Sequence, residues 1–252
     1  MIITKFDKSK DAIIEPHMIA PKINGFPKIA VTCFSKKIVD KIVNTIGAEE
    51  ISYLGSGNGP IPVYKVKYNN TELAMYLSPI GAPASSMALE DMISMGIEKI
   101  VVIGSCGVLD VNIGESQIII PTSAVRDEGT SYHYIEASDE IELNTECVES
   151  IENTIKDKGY TYTLGKTWTT DAPYRETRDK AAKRKDMGCV CVEMECSALA
   201  SVAKFRDIKF ATFFYAADNL GGTEWEPGGL INYDLSHREK LMLLAFECVI
   251  NL

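Results

Sequence analysis

Four short stretches place chemically capable side chains where an apolar run ends. In Val192-Glu193-Met194-Glu195 two acids flank a methionine as a strand gives way to a helix. Carboxylates there can accept hydrogen bonds from the vicinal hydroxyls of a sugar, while methionine offers a soft apolar platform. The same residues also suit a plain helix start, whose dipole favours acids. Ala216-Ala217-Asp218-Asn219 ends the most apolar run of the chain on an acid. Burial raises the pKa of such a carboxyl and suits it to general acid catalysis, unless it only caps the next element. In Gly104-Ser105-Cys106-Gly107 two glycines let backbone approach a flat ligand and Ser105 adds a hydroxyl, although a tight buried turn needs the same residues. Ser78-Pro79-Ile80-Gly81-Ala82-Pro83-Ala84-Ser85-Ser86 breaks from a strand into small hydroxyl residues that open a helix. Backbone N–H groups and hydroxyls in that setting hold anions such as phosphate, or the serines simply cap the helix.

The elements that must position these groups are legible from periodicity. Apolar runs of strand length occur at 28–34, 61–68, 72–80, 99–105, 117–125, 160–170 and 210–218. Between them, 36–46, 84–96, 144–158, 176–186, 195–204 and 236–250 carry apolar residues at helical spacing, as in Cys147, Ile151 and Ile155. Alternating strands and helices predict an α/β domain with a largely parallel core, in which ligands collect outside the carboxyl ends of the strands. With 252 residues, 46% of them hydrophobic, and no linker or repeat, the chain reads as one domain over 1–252. The Gly-rich segment 219–235 reads as a loop that covers a site. Trp225 belongs to that loop, and Trp168 reads as a core residue.

Composition excludes several classes. Lys+Arg 26 against Asp+Glu 35 gives a net charge of -9. Apart from KAAKRK at 180–185 the basic residues are scattered, so no nucleic-acid partner is expected. Seven cysteines, several of them in apolar runs (Cys189, Cys191, Cys248) and none spaced with histidines as metal ligands, read as reduced thiols of a cytoplasmic protein. No apolar stretch is long enough to span a bilayer and the start lacks a signal-peptide layout, so no membrane is expected. Gly55-Ser56-Gly57-Asn58-Gly59 imitates a dinucleotide fingerprint, but a strand rather than a helix follows it. Two further readings fit the same residues: a cysteine hydrolase with Cys106 as nucleophile and His133 or His237 as base, and a non-catalytic protein that binds its ligand without turnover.

In chain order the four stretches resemble the nucleoside phosphorylase/nucleosidase superfamily. GAPASS resembles its phosphate loop, GSCG its purine-pocket turn, VEMEC its ribose-binding signature and AAD the strand end bearing its base-protonating acid. His17 resembles a near-terminal histidine inserted into a neighbouring subunit's site, on the ribose 5'-hydroxyl. VRDEGTSYHY (125–134) and TDAPYRET (170–177), with Tyr174, resemble segments that line the base pocket. The resemblance implies a mixed, mostly parallel central sheet flanked by helices. It implies phosphate-dependent cleavage of the N-glycosidic bond of a purine nucleoside, with no cofactor beyond inorganic phosphate as co-substrate. Asp218 would be the catalytic acid, and His17, Ser105, Cys106, Gly107, Tyr174, Val192, Glu193, Met194 and Glu195 would hold the nucleoside. Lys37, Gly81, Ser85 and Ser105 would hold phosphate. Sharing of His17 implies a homo-oligomer, a dimer or hexamer.

The departures fall on the phosphate side. Cys33-Phe34-Ser35-Lys36-Lys37 stands where phosphorylases of this superfamily carry Gly-Asp-Pro-x-Arg, so Lys37 keeps a charge without the bidentate fork. Val102 stands where a second arginine is expected, and 50–60 contains none to offer a neighbouring subunit. Arg126 and Arg175 are the substitutes within reach of the sequence. The arginine that supports the acid in relatives is missing from 219–230. These differences keep a hydrolytic nucleosidase and a uridine phosphorylase open as readings.

Overall fold

A computed structural model of the chain describes residues 2–231 and 234–252. The strands are β1 (Ile29–Cys33), β2 (Glu49–Leu54), β3 (Ile61–Tyr68), β4 (Thr71–Leu77), β5 (Lys99–Val108), β6 (Ile118–Asp127), β7 (Glu140–Glu142), β8 (Tyr162–Thr170), β9 (Cys189–Glu193) and β10 (Lys209–Asn219). The helices are α1 (Pro16–Ile19), α2 (Lys36–Ile46), α3 (Ala82–Met95), α4 (Thr145–Asp157), α5 (Arg178–Asp186), α6 (Cys196–Arg206), α7 (Gly228–Ile231) and α8 (Leu235–Asn251).

Local sequence explains most of these limits. In α4 the Asn144 side chain accepts a hydrogen bond from the Cys147 N–H at 3.0 Å, and Cys147, Val148, Ile151 and Ile155 turn one face inward. In α2 the buried face is Ile38, Val39 and Ile42. α3 and α6 are buried along most of their length and pack against one another. That accounts for their small residues, since two helices that cover a sheet and each other have little solvent face.

The sheet is mixed. β4, β1, β5 and β10 run parallel, whereas β3 pairs antiparallel with β4 and β2 antiparallel with β3. Its other half closes on itself. β10 pairs with β6, β6 with β8, β8 with β9, and β9 returns to β5 at Gly107–Val108, on the edge of β5 that β1 serves only as far as Ile103. The ring β5-β10-β6-β8-β9 brings the carboxyl ends of β5, β9 and β10 side by side. One large apolar cluster fills the space between sheet and helices, and a smaller one surrounds the fully buried Trp168, whose Nε1 donates to Asp127 at 3.0 Å.

The strand-length runs omit β2, β7 and β9, although the end of β9 is legible at Val192-Glu193. β2 is largely exposed, charged at its start and bulged between Glu50 and Ser52, so its apolar residues never form a two-residue alternation. β7 has three residues, below the length at which a pattern exists. The GSGNG stretch is the loop between β2 and β3, which removes the dinucleotide reading. Within 219–235, residues 220–227 form a loop closed by paired backbone hydrogen bonds between Asn219 and Glu226. The short helix α7 follows where a continuous loop was expected; Asn232 and Tyr233 of that segment lie outside the described residues. No helix among the described residues is long and apolar enough to cross a membrane.

Candidate active site

The two acids of the VEMEC stretch have different environments. Glu193, the last residue of β9, accepts four hydrogen bonds. The Thr169 and Thr167 hydroxyls reach Oε1 at 2.6 and 3.3 Å, and the N–H groups of Glu195 and Cys196 reach Oε2 at 2.7 Å each. A carboxylate has about four lone-pair sites, so Glu193 is saturated by the protein itself. Burial raises its pKa against those four donors. Two of these bonds, to the Glu195 and Cys196 N–H groups, hold the Met194-Glu195 turn.

Glu195, two residues on, accepts from the Gly81 N–H at 2.6 Å. Gly81 sits at φ 92, a conformation that favours glycine, and it opens α3 directly opposite α6. Burial, reinforced by the Glu193 charge, pushes the Glu195 carboxyl up to about 8, with the Gly81 and Met194 N–H groups pulling the other way. Glu195 therefore keeps acceptor capacity for a ligand, while Glu193 has none left.

Asp218 lies at the end of β10. Ala216 pairs with Cys106 and Asp218 with Gly107, so Ala217 is an extra residue that bulges the strand. Such a bulge re-aims the side chain that follows it. Burial raises the pKa of Asp218, and the Trp225 indole N–H, donating to Oδ2 at 2.7 Å, partly opposes the rise. Asp218 faces a cavity of about 650 Å³ shared with Tyr174, Glu176, Arg178, Leu220 and Trp225. The Glu176 carboxyl is pushed up to about 7, by burial first and then by the Asp218 charge. Arg178 ties the covering loop down through the carbonyls of Gly222, at 2.9 Å, and Thr223.

Gly107 lies directly behind Asp218 and Leu220, two residues that line this cavity. A methyl there would lie 2.4 Å from Leu220 Cδ1, 3.2 Å from Asp218 Oδ1 and 3.3 Å from Val192 Cγ1. Gly107→Ala is expected to turn Leu220 into the cavity and weaken binding of the cavity's ligand, read as KM, on the order of tenfold, an overpacking effect of about 1–3 kcal/mol. Steady-state kinetics beside a thermal melt check this; an unchanged KM overturns the coupling of Gly107 to the cavity through Leu220.

Cys106 is buried, and its Sγ approaches the Tyr215 carbonyl at 3.8 Å. Burial first, then Cys191, Glu193 and Asp218, push its thiol well above the usual range. A thiol held protonated among acids is a poor nucleophile, which removes the ground for a cysteine hydrolase.

A second, smaller cavity of about 300 Å³ opens at the ends of β1 and β5, between Phe34, Lys36, Lys37, Ser105, Tyr215 and Arg238. Val102 is buried within β5, paired with Thr32 on one side and Thr212 on the other. Ser85 is fully buried and donates its hydroxyl to the Gly81 and Ala82 carbonyls at 3.0 and 3.3 Å, so it closes the first turn of α3 instead of facing this cavity. The Gly81 N–H is turned to Glu195. Arg126 bonds Ser131 through Nε and Glu136 and Ser138 through Nη1, stacks 4.2 Å from the Tyr132 ring and does not line this cavity, and its buried Nη2 makes no hydrogen bond among the described residues; Arg175 is exposed.

The structure thus brings Ser105, Cys106, Gly107, Val192, Glu193, Met194, Glu195 and Asp218 to adjoining strand ends. Tyr174 stands fully exposed at the rim. His17 is exposed on α1, which packs on α3, and it lines neither cavity of its own chain. A larger cavity, about 720 Å³, lies instead beneath the N-terminal segment, beside Met87, Glu90, His133 and Tyr134, and contains none of the strand-end groups. Sequence reasoning missed Glu176 and Arg238 as site residues and Trp225 as the partner of Asp218. Glu176 lies inside TDAPYRET without any pattern marking it, and Arg238 belongs to a helix whose periodicity reports only its buried face.

Comparison with known proteins gives a consistent result. The sequence model of the phosphorylase superfamily matches residues 28–240. A guanosine phosphorylase from Halorubrum lacusprofundi is 21% identical over 206 residues, 82% of this chain and 84% of that protein. A uridine phosphorylase from Haemophilus influenzae is 26% identical over 145 residues, 52% of this chain and 58% of that one. Among solved structures, uridine phosphorylase from Vibrio fischeri superposes with a TM-score of 0.76 at 21% identity, covering 96% of this chain and 99% of that chain. Purine nucleoside phosphorylase from Toxoplasma gondii, in complex with immucillin-H, gives 0.76 at 15% identity, with coverage of 89% and 91%. At these identities the structural likeness is one of fold.

Proposed function

The chain belongs to the phosphorylase superfamily, and from that premise we propose that it cleaves the N-glycosidic bond of a purine nucleoside with inorganic phosphate, yielding free base and pentose 1-phosphate. The observation that carries this reading is the placement of Asp218: a half-buried carboxyl of raised pKa, held by Trp225 on the wall of a cavity of about 650 Å³, at strand ends adjoining the turn that bears Glu195. As the bond to the base breaks, negative charge grows on the purine ring and positive charge on the sugar. Asp218 in its acid form donates to the ring nitrogen. Glu195 accepts from the sugar hydroxyls and favours the cationic sugar, and Glu193 holds the turn that positions it. An oxygen of phosphate forms the new bond to the anomeric carbon as the base departs with the electron pair. Proton transfer and anion attack suffice for this chemistry, without a metal or organic cofactor.

His17 on exposed α1 would complete the sugar site of a second copy, which makes the active form at least a dimer. Seven free, buried cysteines support a reducing, cytoplasmic setting. A second reading, hydrolysis, is favoured by one observation: Val102, where an arginine was expected, is buried inside β5 and offers an attacking anion nothing.

The deciding measurement is base release from inosine, guanosine, adenosine and uridine with and without phosphate, with the sugar product identified. Phosphate-dependent release of a purine with pentose 1-phosphate is the expected result. Free pentose at a phosphate-independent rate replaces phosphorolysis by hydrolysis, and a preference for uridine overturns the purine assignment.

A further inference from the structure

We propose that Arg238, carried on α8, is the residue that grips the attacking oxyanion, in place of the arginines that the turn after β1 and the middle of β5 lack. This deepens the phosphorolysis reading and rests on it.

Charge supports the assignment first. The chain has a net charge of -9, yet the cavity of about 300 Å³ at the ends of β1 and β5 is lined by Lys36, Lys37 and Arg238 and by no carboxylate. A small recess with cations and no acid in an acidic protein selects an anion. Its polar wall includes Ser105, which immediately precedes the Cys106-Gly107 pair that borders Asp218, so an anion held there lies beside the nucleoside site.

Geometry supports it next. Lys36 is paired with Asp40 at 2.6 Å on its own helix, and a lysine lacks the planar fork in any case. The Arg238 guanidinium is held in place: Nη2 donates to the Gly229 carbonyl at 2.6 Å, and the group lies 4.9 Å from the centre of the Tyr215 ring. Tyr215 lines the same cavity as Ser105. A guanidinium carries five N–H donors in one plane, so anchoring on a carbonyl is compatible with a two-point grip on a phosphate oxygen pair. α8 packs against both β1 and β5, and its N-terminal end delivers Arg238 where Val102, locked inside β5, cannot reach.

The test compares wild-type protein with Arg238→Met and Arg238→Lys, varying phosphate at saturating nucleoside and nucleoside at saturating phosphate. Loss of charge-assisted hydrogen bonds is expected to raise the phosphate KM on the order of 30-fold in Arg238→Met. The nucleoside KM should stay within about threefold, and lysine should restore part of the phosphate affinity through its point charge. In parallel, phosphate alone should raise the melting temperature of wild-type protein and not of Arg238→Met. An unchanged phosphate KM in an enzyme that remains phosphate-dependent overturns the proposal and leaves phosphorolysis standing. Equal increases in both KM values, with a lowered melting temperature, reduce Arg238 to a structural anchor of Gly229 and also overturn it. If wild-type activity ignores phosphate, phosphorolysis itself fails; the melting shift then judges Arg238 alone, and its absence overturns the proposal.

Discussion

Asp218→Asn is expected to lower kcat for a purine nucleoside by about 10²–10⁴-fold, the range for removal of a general acid, while the nucleoside KM moves by no more than about threefold. Asparagine has nearly the same shape and still offers an oxygen to the Trp225 indole N–H, which reaches Asp218 Oδ2 at 2.7 Å, so the cavity survives. What it lacks is a proton to transfer, and the loss therefore falls on the transition state instead of the ground state. The pH profile gives the sign. Burial raises the Asp218 pKa above its ordinary 3.8, which keeps the acid form populated to higher pH than an exposed aspartate allows; kcat falls as pH rises through that raised value. In Asp218→Asn this limb disappears. Wild-type turnover in the variant, or an unchanged descending limb, rejects Asp218 as the acid.

Glu195→Gln is expected to reduce kcat/KM by about 10²–10³-fold, the effect of losing a charged acceptor aimed at developing positive charge. The same substitution should also stabilise the folded protein at alkaline pH. Before a nucleoside binds, the Glu195 carboxyl is pushed from 4.5 to about 8, so the folded chain binds a proton there that the unfolded chain has released. Stability then falls as pH rises from the unfolded value to the folded one, and is level above it. Glutamine removes that cost and its side-chain oxygen still accepts from the Gly81 N–H. A higher melting temperature at pH 8 together with lost activity is the combined signature. Sugar hydroxyls donating to the carboxylate favour its charged form, so nucleoside binding at pH 7 should also release a proton. Calorimetry in two buffers of different ionisation enthalpy reads this directly. Equal heats in both, with unaltered kinetics in Glu195→Gln, remove Glu195 from the sugar site.

The contrast between Glu193 and Glu195 shows where sequence reading stops. Both acids are visible in VEMEC, and both were expected to meet the sugar. Only the pairing of β8 with β9 sets Thr167 and Thr169 against Glu193, and that contact fills its acceptor sites. The difference in free acceptor capacity between the two acids is made by partners 24 and 26 positions away in the chain. Ser85 follows the same pattern. Its hydroxyl is a candidate anion donor in GAPASS, but in α3 it points back along the helix to Gly81. Arg238 is the converse case, an ordinary helical residue in the sequence that becomes the arginine of the small cavity because of the strands on which α8 lies.

Local chemistry and element type were determined by the sequence alone. The reach of α2 over 36–46, the burial of Trp168 and the strand-end placement of the GAPASS, VEMEC and Asp218 segments follow from apolar spacing and from turn residues, which act over a few positions; Gly104-Ser105-Cys106-Gly107, which resembled a turn, instead lies inside β5, extended through Val108 by its pairing with β9 and β10. The tertiary structure decided which of these ends meet. The closure of β5-β10-β6-β8-β9, the bulge at Ala217 that aims Asp218, and the contact of Gly81 with Glu195 across α3 and α6 all join residues far apart in the chain. Such pairings depend on strand register and on the saturation of hydrogen-bonding groups. No local pattern records either of them.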